Sequence, residues 1–366
     1  MIKVLFTLNR ITPYHLARIN SIQKILDKEY FFQTIEIFKS SNIYKLENRY
    51  DKTFQNIFNL GLSPKGKNDK LDIFGSLKLW KLLSKNNPDI LIISGWGGLQ
   101  GFIQIIWKIF FNKKLVIVSD SHHIGKKILP LKEYLKSIYL KNVDIFFTAG
   151  KPQGEYLNLL NVHDSKIYYG CDVVDNNHFS RNKKNFMNNS IITTARLSEE
   201  KNLINAAKCF RIFSEKYKNE KWEWNVIGYG PLENPLKKYK KKYGLKINFL
   251  GNIEYDKLPD ILSSSSLYWQ PSYYDTWCLS INEACAVGLP LILSTQCGAT
   301  KELCDDSNGW CFNPFSNNEI LKALEEARSY KSKWYLLGQN SKKKITNYSL
   351  ESFSLTISKI INDLTS

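Results

Sequence analysis

No stretch of this 366-residue chain approaches the roughly 20 consecutive apolar residues of a membrane-spanning helix. The opening MIKVLFTLNRIT lacks the long apolar core and small-residue cleavage site of a secretory signal, and it reads as a first strand. The seven cysteines contain no C-x-x-C pair, and an odd count argues against a full disulfide framework, so reduced, mostly buried thiols are expected. No His, Cys and Asp residues share metal-ligand spacing, so no metal is expected. A G-x-G-x-x-G is missing after the first strand, which counts against a dinucleotide oxidoreductase. There is no RNP-like aromatic strand, zinc-finger spacing or basic heptad region, so nucleic acid is not expected as a partner. The nearest approach to a P-loop is Gly61, Gly66 and Lys67 in GLSPKGKN. Pro64 interrupts it and Asn68 replaces the magnesium-binding hydroxyl, which makes it a coincidence.

Negative charge is also scarce. Lys and Arg number 51 against 34 Asp and Glu, a formal net charge of +17. Such a bias implies anionic surroundings: nucleic acid, a membrane surface or an anionic substrate. The lysines are spread along the chain, and runs such as KKYKKKYG (237–244) sit at helical spacing as solvated faces. Two stretches, FIQIIWKIFFNKK (102–114) and LKEYLKSIYLKN (131–142), are basic and amphipathic and suit a membrane interface. The first also reads as a helix buried on a sheet with its lysines reaching solvent, and that reading is favoured here. An anionic membrane surface is thus a candidate partner, and the expected location is the cytoplasm or the inner face of its membrane.

What is present is an α/β pattern. Apolar strands at 2–8, 31–37, 89–94, 115–119 and 145–149 alternate with helices, the first near 14–26. A fresh series starts at IITTARL and continues through WEWNVIG, INFLG, 266–270 and, last, LPLILS. Apolar strands separated by helices imply parallel sheets covered on both faces. Residues 41–70 read as a long loop, and the polar SRNKKNFMNN as a linker. The expected division is 1–180, a linker at 181–190, a second domain at 191–349, and a last helix at 350–366 returning to the first domain.

Chemistry concentrates in PSYYDTWCLSINEACAVGLPLILSTQCGATKELCDDSNG (271–309). Asp275 and Glu283 lie eight positions apart across a loop-to-helix junction. Carboxylates at the mouth of a parallel sheet suit sugar or ribose hydroxyls, and the helix N-terminus between them suits a phosphate. Upstream, Arg196 and Lys201 flank a turn after a strand and offer cations for phosphate oxygens. Gly228 and Gly230, at another strand end, allow close backbone approach.

The order of these features carries more than any one of them. Arg196 and Lys201, Gly228-x-Gly230-Pro231, Phe249-Leu250-Gly251, Pro271-Ser272, Asp275, Glu283-Ala284, Gly288-x-Pro290, Gly298, Glu302 and Asn308-Gly309 follow in series. Over about 150 residues this resembles the C-terminal domain of the family 4 retaining glycosyltransferases. The family's E-x7-E appears as Asp275-x7-Glu283, and its loop glycine as Cys278. The resemblance implies a GT-B fold: two Rossmann-like doubly wound domains facing a cleft, 1–180 on the acceptor side and 191–349 binding the nucleotide-sugar. It implies that Arg196 and Lys201 hold the donor diphosphate, Glu283 the ribose, and Asp275 the donor sugar. Gly228, Gly230, Cys278 and Leu279 would complete the donor site. The nucleotide-sugar is a substrate, so no cofactor is expected. The absence of D-x-D agrees with protein cations neutralising the leaving diphosphate.

In the first half, the loop NRITPYH (9–15) lacks the family's paired glycines. Tyr14 and His15 there suit either a ligand-facing position or an ordinary helix start. SDSHH (119–123) follows an apolar strand and so falls at the carboxyl end of a sheet, where ligands bind. Asp120, His122 and His123 are catalytic candidates there, with Asp275, and the sequence does not choose among the three. Gly170 and Asp172 are expected to shape the crossing between domains. The implied activity is transfer of a sugar, with retention, to a hydroxyl of a glycan or lipid-linked glycan. The alternatives are a non-catalytic nucleotide-sugar binder, a basic nucleic-acid-binding module that the charge alone motivates, and a GT-B epimerase.

Overall fold

The computed structural model describes residues 1–26, 29–40, 56–65, 70–123, 129–182 and 189–366. The chain forms two compact units. The first is Met1–His122, Lys127–Val173 and Leu350–Ser366; the second is His123–Lys126 and Val174–Ser349.

The first unit is built on seven parallel strands: β1 (Ile2–Leu8), β2 (Tyr30–Phe38), β3 (Ile57–Leu62), β4 (Ile90–Ser94), β5 (Lys114–Ser119), β6 (Ile145–Thr148) and β7 (Ile167–Tyr169). They are ordered β3-β2-β1-β4-β5-β6-β7. The central strand β4 is apolar on both faces, with Ile90, Leu91, Ile92 and Ile93 all buried, as a sheet covered by helices on each side requires. The order reverses between β1 and β4, where Val4 lies opposite Phe32 on one side and Ile90 on the other.

The helix Pro13–Ile25 begins at a capping box. The Thr12 side chain accepts from the His15 amide, His15 Nδ1 accepts from the Thr12 amide at 3.2 Å, and Pro13 opens the first turn. His15 therefore serves the helix start. The helix Leu350–Thr365 belongs to the same unit, and its Phe353 ring packs 5.3 Å from Phe147. Arg18 donates from Nε and Nη2 to the Val173 carbonyl at 3.0 and 2.7 Å and pairs with Asp172 at 3.3 Å. It thereby pins the end of the segment that runs through Gly170.

The second unit repeats the pattern with β8 (Ser190–Thr194), β9 (Glu223–Ile227), β10 (Ile247–Gly251), β11 (Leu267–Gln270), β12 (Leu291–Ser294) and β13 (Gly309–Phe312), ordered β10-β9-β8-β11-β12-β13. Its core centres on aromatic rings. Trp224 lies 4.9 Å from Trp269 and 5.7 Å from Phe210, and Trp224 Nε1 donates to Thr193 Oγ1.

Three strands escaped the pattern reading. β3 lies within the expected loop at 41–70. It is a half-exposed edge strand with Gly61 at φ +69°, so it lacks a continuous apolar run. β7 has only three residues, and β13, beyond LPLILS, only four. Gly66, Lys67 and Asn68 of the P-loop coincidence lie outside the described residues, as do 183–188 of the polar stretch. The division between units falls at Val173/Val174, ahead of that stretch.

Candidate functional site

In the second unit the strand order reverses between β8 and β11, and ligands of open α/β sheets bind beyond the carboxyl ends of strands at such a point. The loops leaving these two strands carry Arg196 and Lys201 on one side and Asp275 on the other. Three bonds tie the loops together. The Tyr273 amide donates to the Glu200 carbonyl at 2.9 Å, and Asn202 Nδ2 donates to the Pro271 carbonyl at 3.0 Å. Lys201 Nζ donates to Asp275 Oδ2.

Lys201 and Asp275 keep only 16% and 13% of their side-chain surfaces exposed. Burial opposes a charge on Lys201, but Asp275 together with Cys278 and Cys297 outweighs it, and the ammonium titrates above the ordinary lysine range. The backbone of Asp275 is held on both sides: its amide donates to the Gln296 carbonyl at 3.2 Å and its carbonyl accepts from the Gly298 amide at 3.1 Å. Arg196 is about half exposed. Its Nη2 meets Glu200 Oε1 at 2.5 Å and its Nε donates to Ser198 Oγ at 3.2 Å. Against the opposing effect of burial, Arg196 and Ser198 hold Glu200 below the usual carboxylate range.

The two glycines after β9 have a specific steric role. A Cβ on Gly228, at φ +126°, would lie 1.9 Å from the Ala195 carbonyl oxygen; one on Gly230 would lie 2.5 Å from that of Leu197. The Gly228–Gly230 turn thus packs against the backbone on either side of Arg196, and the Leu197 amide donates to the Tyr229 carbonyl at 3.0 Å.

Cys278 caps the helix Leu279–Val287 at φ +83°, ψ +75°, a conformation that favours glycine. No side chain caps this helix start. The Cys278 thiol lies 3.2 Å from Ser280 Oγ, which donates to the Thr194 carbonyl at 3.2 Å. A hydrogen bond with Cys278, then burial, pushes the Cys297 thiol well above its usual range. All seven cysteines are free, six buried and Cys311 exposed. Glu283 sits in the second turn of the same helix and is buried. Trp277, also buried, donates from Nε1 to Asn282 Oδ1 at 2.9 Å and so fixes the entry to the helix.

The structure therefore gathers Arg196, Lys201, Asp275, Cys278 and the Gly228–Gly230 turn at the carboxyl ends of β8, β9 and β11, with Leu279 and Glu283 on the adjoining helix. Asn202 was missed by sequence reading. Its φ of +58° and buried amide position the Lys201 turn, and an asparagine just after a polar turn is the signal that would have found it. In the first unit, Asp120 and His122 follow β5, with His122 fully buried; His123 counts with the second unit. Burial, then Asp172, raise the Cys171 thiol, against the opposing Arg18. A second feature passed unread: Gly95, Gly97 and Gly98 follow β4 at the first unit's reversal point. Gly95 and Gly98 have φ of +75° and +72°. Among the described residues no group of three His, Cys, Asp or Glu is placed to hold a metal.

Two doubly wound parallel sheets with this strand order, each followed by a loop-borne polar cluster, define a GT-B fold. Residues 174–344, which contain the whole second-unit cluster, match the family model of glycosyl transferases group 1. The chain is similar to sucrose-phosphate synthase from Thermosynechococcus elongatus, at 12% identity and a TM-score of 0.77, covering 100% of this chain and 99% of that one. It is similar to a glycosyltransferase from Rickettsia africae, at 14% identity and a TM-score of 0.76 with coverage of 100% and 99%. It is also similar to HepE from Anabaena in complex with UDP-glucose, at 11% identity and a TM-score of 0.76 with coverage of 99% and 100%. At such identities the likeness establishes the fold. No curated protein sequence matches the chain.

Proposed function

We propose that the protein is a retaining glycosyltransferase of family 4, moving a hexosyl group from a nucleotide-sugar to a hydroxyl of a glycan or lipid-linked glycan. The observation that carries this reading is the convergence of Arg196, Lys201 and Asp275 at the β8/β11 reversal, within the segment that matches the glycosyl transferase model. HepE, a neighbour in fold, has been crystallised with UDP-glucose.

In this reading Arg196 and Lys201 face the diphosphate, whose charge grows as the bond to the anomeric carbon breaks. The uncapped start of the helix Leu279–Val287 adds backbone N–H groups. Glu283 accepts from the ribose hydroxyls and Asp275 from those of the sugar. The acceptor oxygen bonds to the anomeric carbon on the face that the phosphate leaves, and its proton passes to the departing phosphate oxygen. No protein nucleophile is needed. Asp120, His122 and His123 remain candidates for contact with the transferred sugar. The free thiols suit a reducing cytoplasm.

The test is a melting-temperature screen against UDP, GDP and ADP and their sugar conjugates, followed by product analysis with lipid-linked and free glycan acceptors. A ligand that binds only the folded state raises the melting temperature. Stabilisation by one nucleotide and its conjugate, with transfer at retained configuration, is the expected result. No shift with any of them would overturn the reading. A second reading, a nucleotide-sugar binder without turnover, is favoured by the mutual pairing of Lys201 and Asp275. Binding without transfer to any acceptor would select it.

A further inference from the structure

The first unit exposes an apolar surface that its own fold leaves uncovered. Three helices, Ile73–Asn86, Gly98–Phe110 and Pro130–Leu140, connect β3 to β4, β4 to β5 and β5 to β6. Each crossover runs in the same direction across the sheet, so right-handed connections place all three on one face. Cross-helix rings confirm that they adjoin: Trp80 lies 5.9 Å from Phe110, and Phe102 stacks on Tyr139 at 5.9 Å.

Ile73–Asn86 and Gly98–Phe110 each bury one side, Pro130–Leu140 buries only Leu140, and all three present apolar side chains outward. In Gly98–Phe110, Ile105 and Trp107 are buried while Phe102, Ile106 and Phe110 are exposed. The expected burial of residues 102–114 therefore holds for only half of that helix, whose buried side includes Gln100 and Gln104 while much of its apolar side faces outward. Phe74, Phe110 and Leu131, one on each helix, are 77%, 73% and 72% exposed. Of the 25 exposed large apolar residues among those described, 14 fall between Ile73 and Ile138 on these helices and their ends. Patches this concentrated mark interaction surfaces.

The charges decide the partner. The three helices carry six lysines and one carboxylate, Glu133, which pairs with Lys136 at 2.8 Å, while Lys108 pairs with Asp144 at 3.1 Å. Lys78, Lys81, Lys85 and Lys132 are exposed among the apolar side chains. Aromatic and aliphatic side chains interleaved with uncompensated lysines match the boundary between acyl chains and anionic headgroups. Trp80 and Tyr139, half-buried between the helices, have the amphipathic rings found at such boundaries. A second copy of this face would bring lysines against lysines, whereas an anionic lipid surface supplies their counter-charges along its whole plane. No helix among the described residues is long and apolar enough to cross a membrane, so contact would be from one side.

We infer that this three-helix face docks the protein on an anionic lipid surface. The inference stands on the surface alone, independently of the donor site in the other unit. The experiment is co-sedimentation of the full chain with phosphatidylcholine vesicles, with and without phosphatidylglycerol, at low salt and at about 0.15 M salt. Wild type should partition onto the anionic vesicles, less so at the higher salt. Phe74→Ser/Phe110→Ser/Leu131→Ser, all at exposed positions, should weaken binding more than about tenfold. The melting temperature should stay within about 2 °C of wild type. Lys81→Glu/Lys85→Glu should abolish the preference for anionic vesicles. No partition by wild type at low salt would overturn the inference. So would equal binding by the triple variant, or light scattering that finds a dimer which the triple variant dissociates.

Discussion

Lys201 and Asp275, 74 positions apart, form a largely buried ion pair that joins the loops leaving β8 and β11. Removing one member strands the other in a poorly hydrated place. Lys201→Met is therefore expected to destabilise the second unit by about 3 kcal/mol, and Asp275→Asn by a similar amount. Lys201→Met/Asp275→Leu should recover part of the loss, because no charge is then left unpaired. Urea unfolding followed by tryptophan fluorescence measures this, and strictly additive losses would show that the pair is uncoupled. A group whose pKa is raised on folding loses its contribution only as the pH climbs past its unfolded value. For Lys201 that window lies above pH 10, so Lys201 adds no pH dependence near neutrality.

Gly228 and Gly251 end neighbouring strands, and both have positive φ, but only Gly228 is crowded. Gly228→Ala should lower stability by more than about 3 kcal/mol, because its Cβ overlaps the Ala195 carbonyl and must displace the Arg196 loop. Gly251→Ala meets open space and should cost about 1 kcal/mol from its backbone conformation alone. Similar losses at the two sites in thermal unfolding would contradict the steric argument.

Cys278→Ala and Cys278→Gly both delete the thiol, so their difference isolates the backbone. With φ at +83°, the glycine variant should be more stable than the alanine variant by about 1 kcal/mol. Parity in melting temperature would mean that the helix start relaxes at no cost.

These cases also show what the sequence revealed. Apolar runs such as ILIIS and LILS mark buried parallel strands by composition alone, and their order fixed the doubly wound class. Arg196, Lys201, Asp275 and Glu283 stood out because their order along the chain, among the surrounding glycines, resembles that of the family 4 glycosyltransferases. Hidden were contacts that depend on tertiary geometry. Nothing local shows that Lys201 meets Asp275, or that Gly228 yields to Ala195 rather than to a ligand. β3 and β13 were invisible because they are half-exposed edge strands of six and four residues, β3 interrupted by Gly61 and β13 beginning at Gly309. The amphipathic pattern of Gly98–Phe110 was legible, but which side faces the sheet was not: Gln100 and Gln104 take buried positions while Phe102, Ile106, Ile109 and Phe110 face outward.

His15 gives the fold a dependence on acid. Burial, then the neighbouring Arg18, lowers its pKa from 6.5 to about 3, and its Nδ1 must stay unprotonated to accept from Thr12. The folded state therefore binds fewer protons than the unfolded chain between these values. The associated stability is present above pH 6.5 and is lost as the pH falls towards 3, by at most about 1.4 kcal/mol per unit. His15→Gln keeps a residue that completes the capping box, and it should flatten the decline between pH 6.5 and 4. Parallel stability–pH curves for wild type and variant would assign the acid sensitivity elsewhere.

The central claim is that the second unit holds a nucleotide-sugar with its ribose on Glu283 and its sugar on Asp275. The most direct measurement is calorimetric titration of Glu283→Gln and Asp275→Asn, confirmed folded, with the stabilising nucleoside diphosphate and with its sugar conjugate. Glu283→Gln should weaken both ligands by about tenfold or more, since the ribose is common to them. Asp275→Asn should leave the free nucleotide within about twofold and weaken the conjugate by about tenfold. Equal weakening of nucleotide and conjugate by Asp275→Asn, or no effect of Glu283→Gln on either, would contradict this placement of the donor.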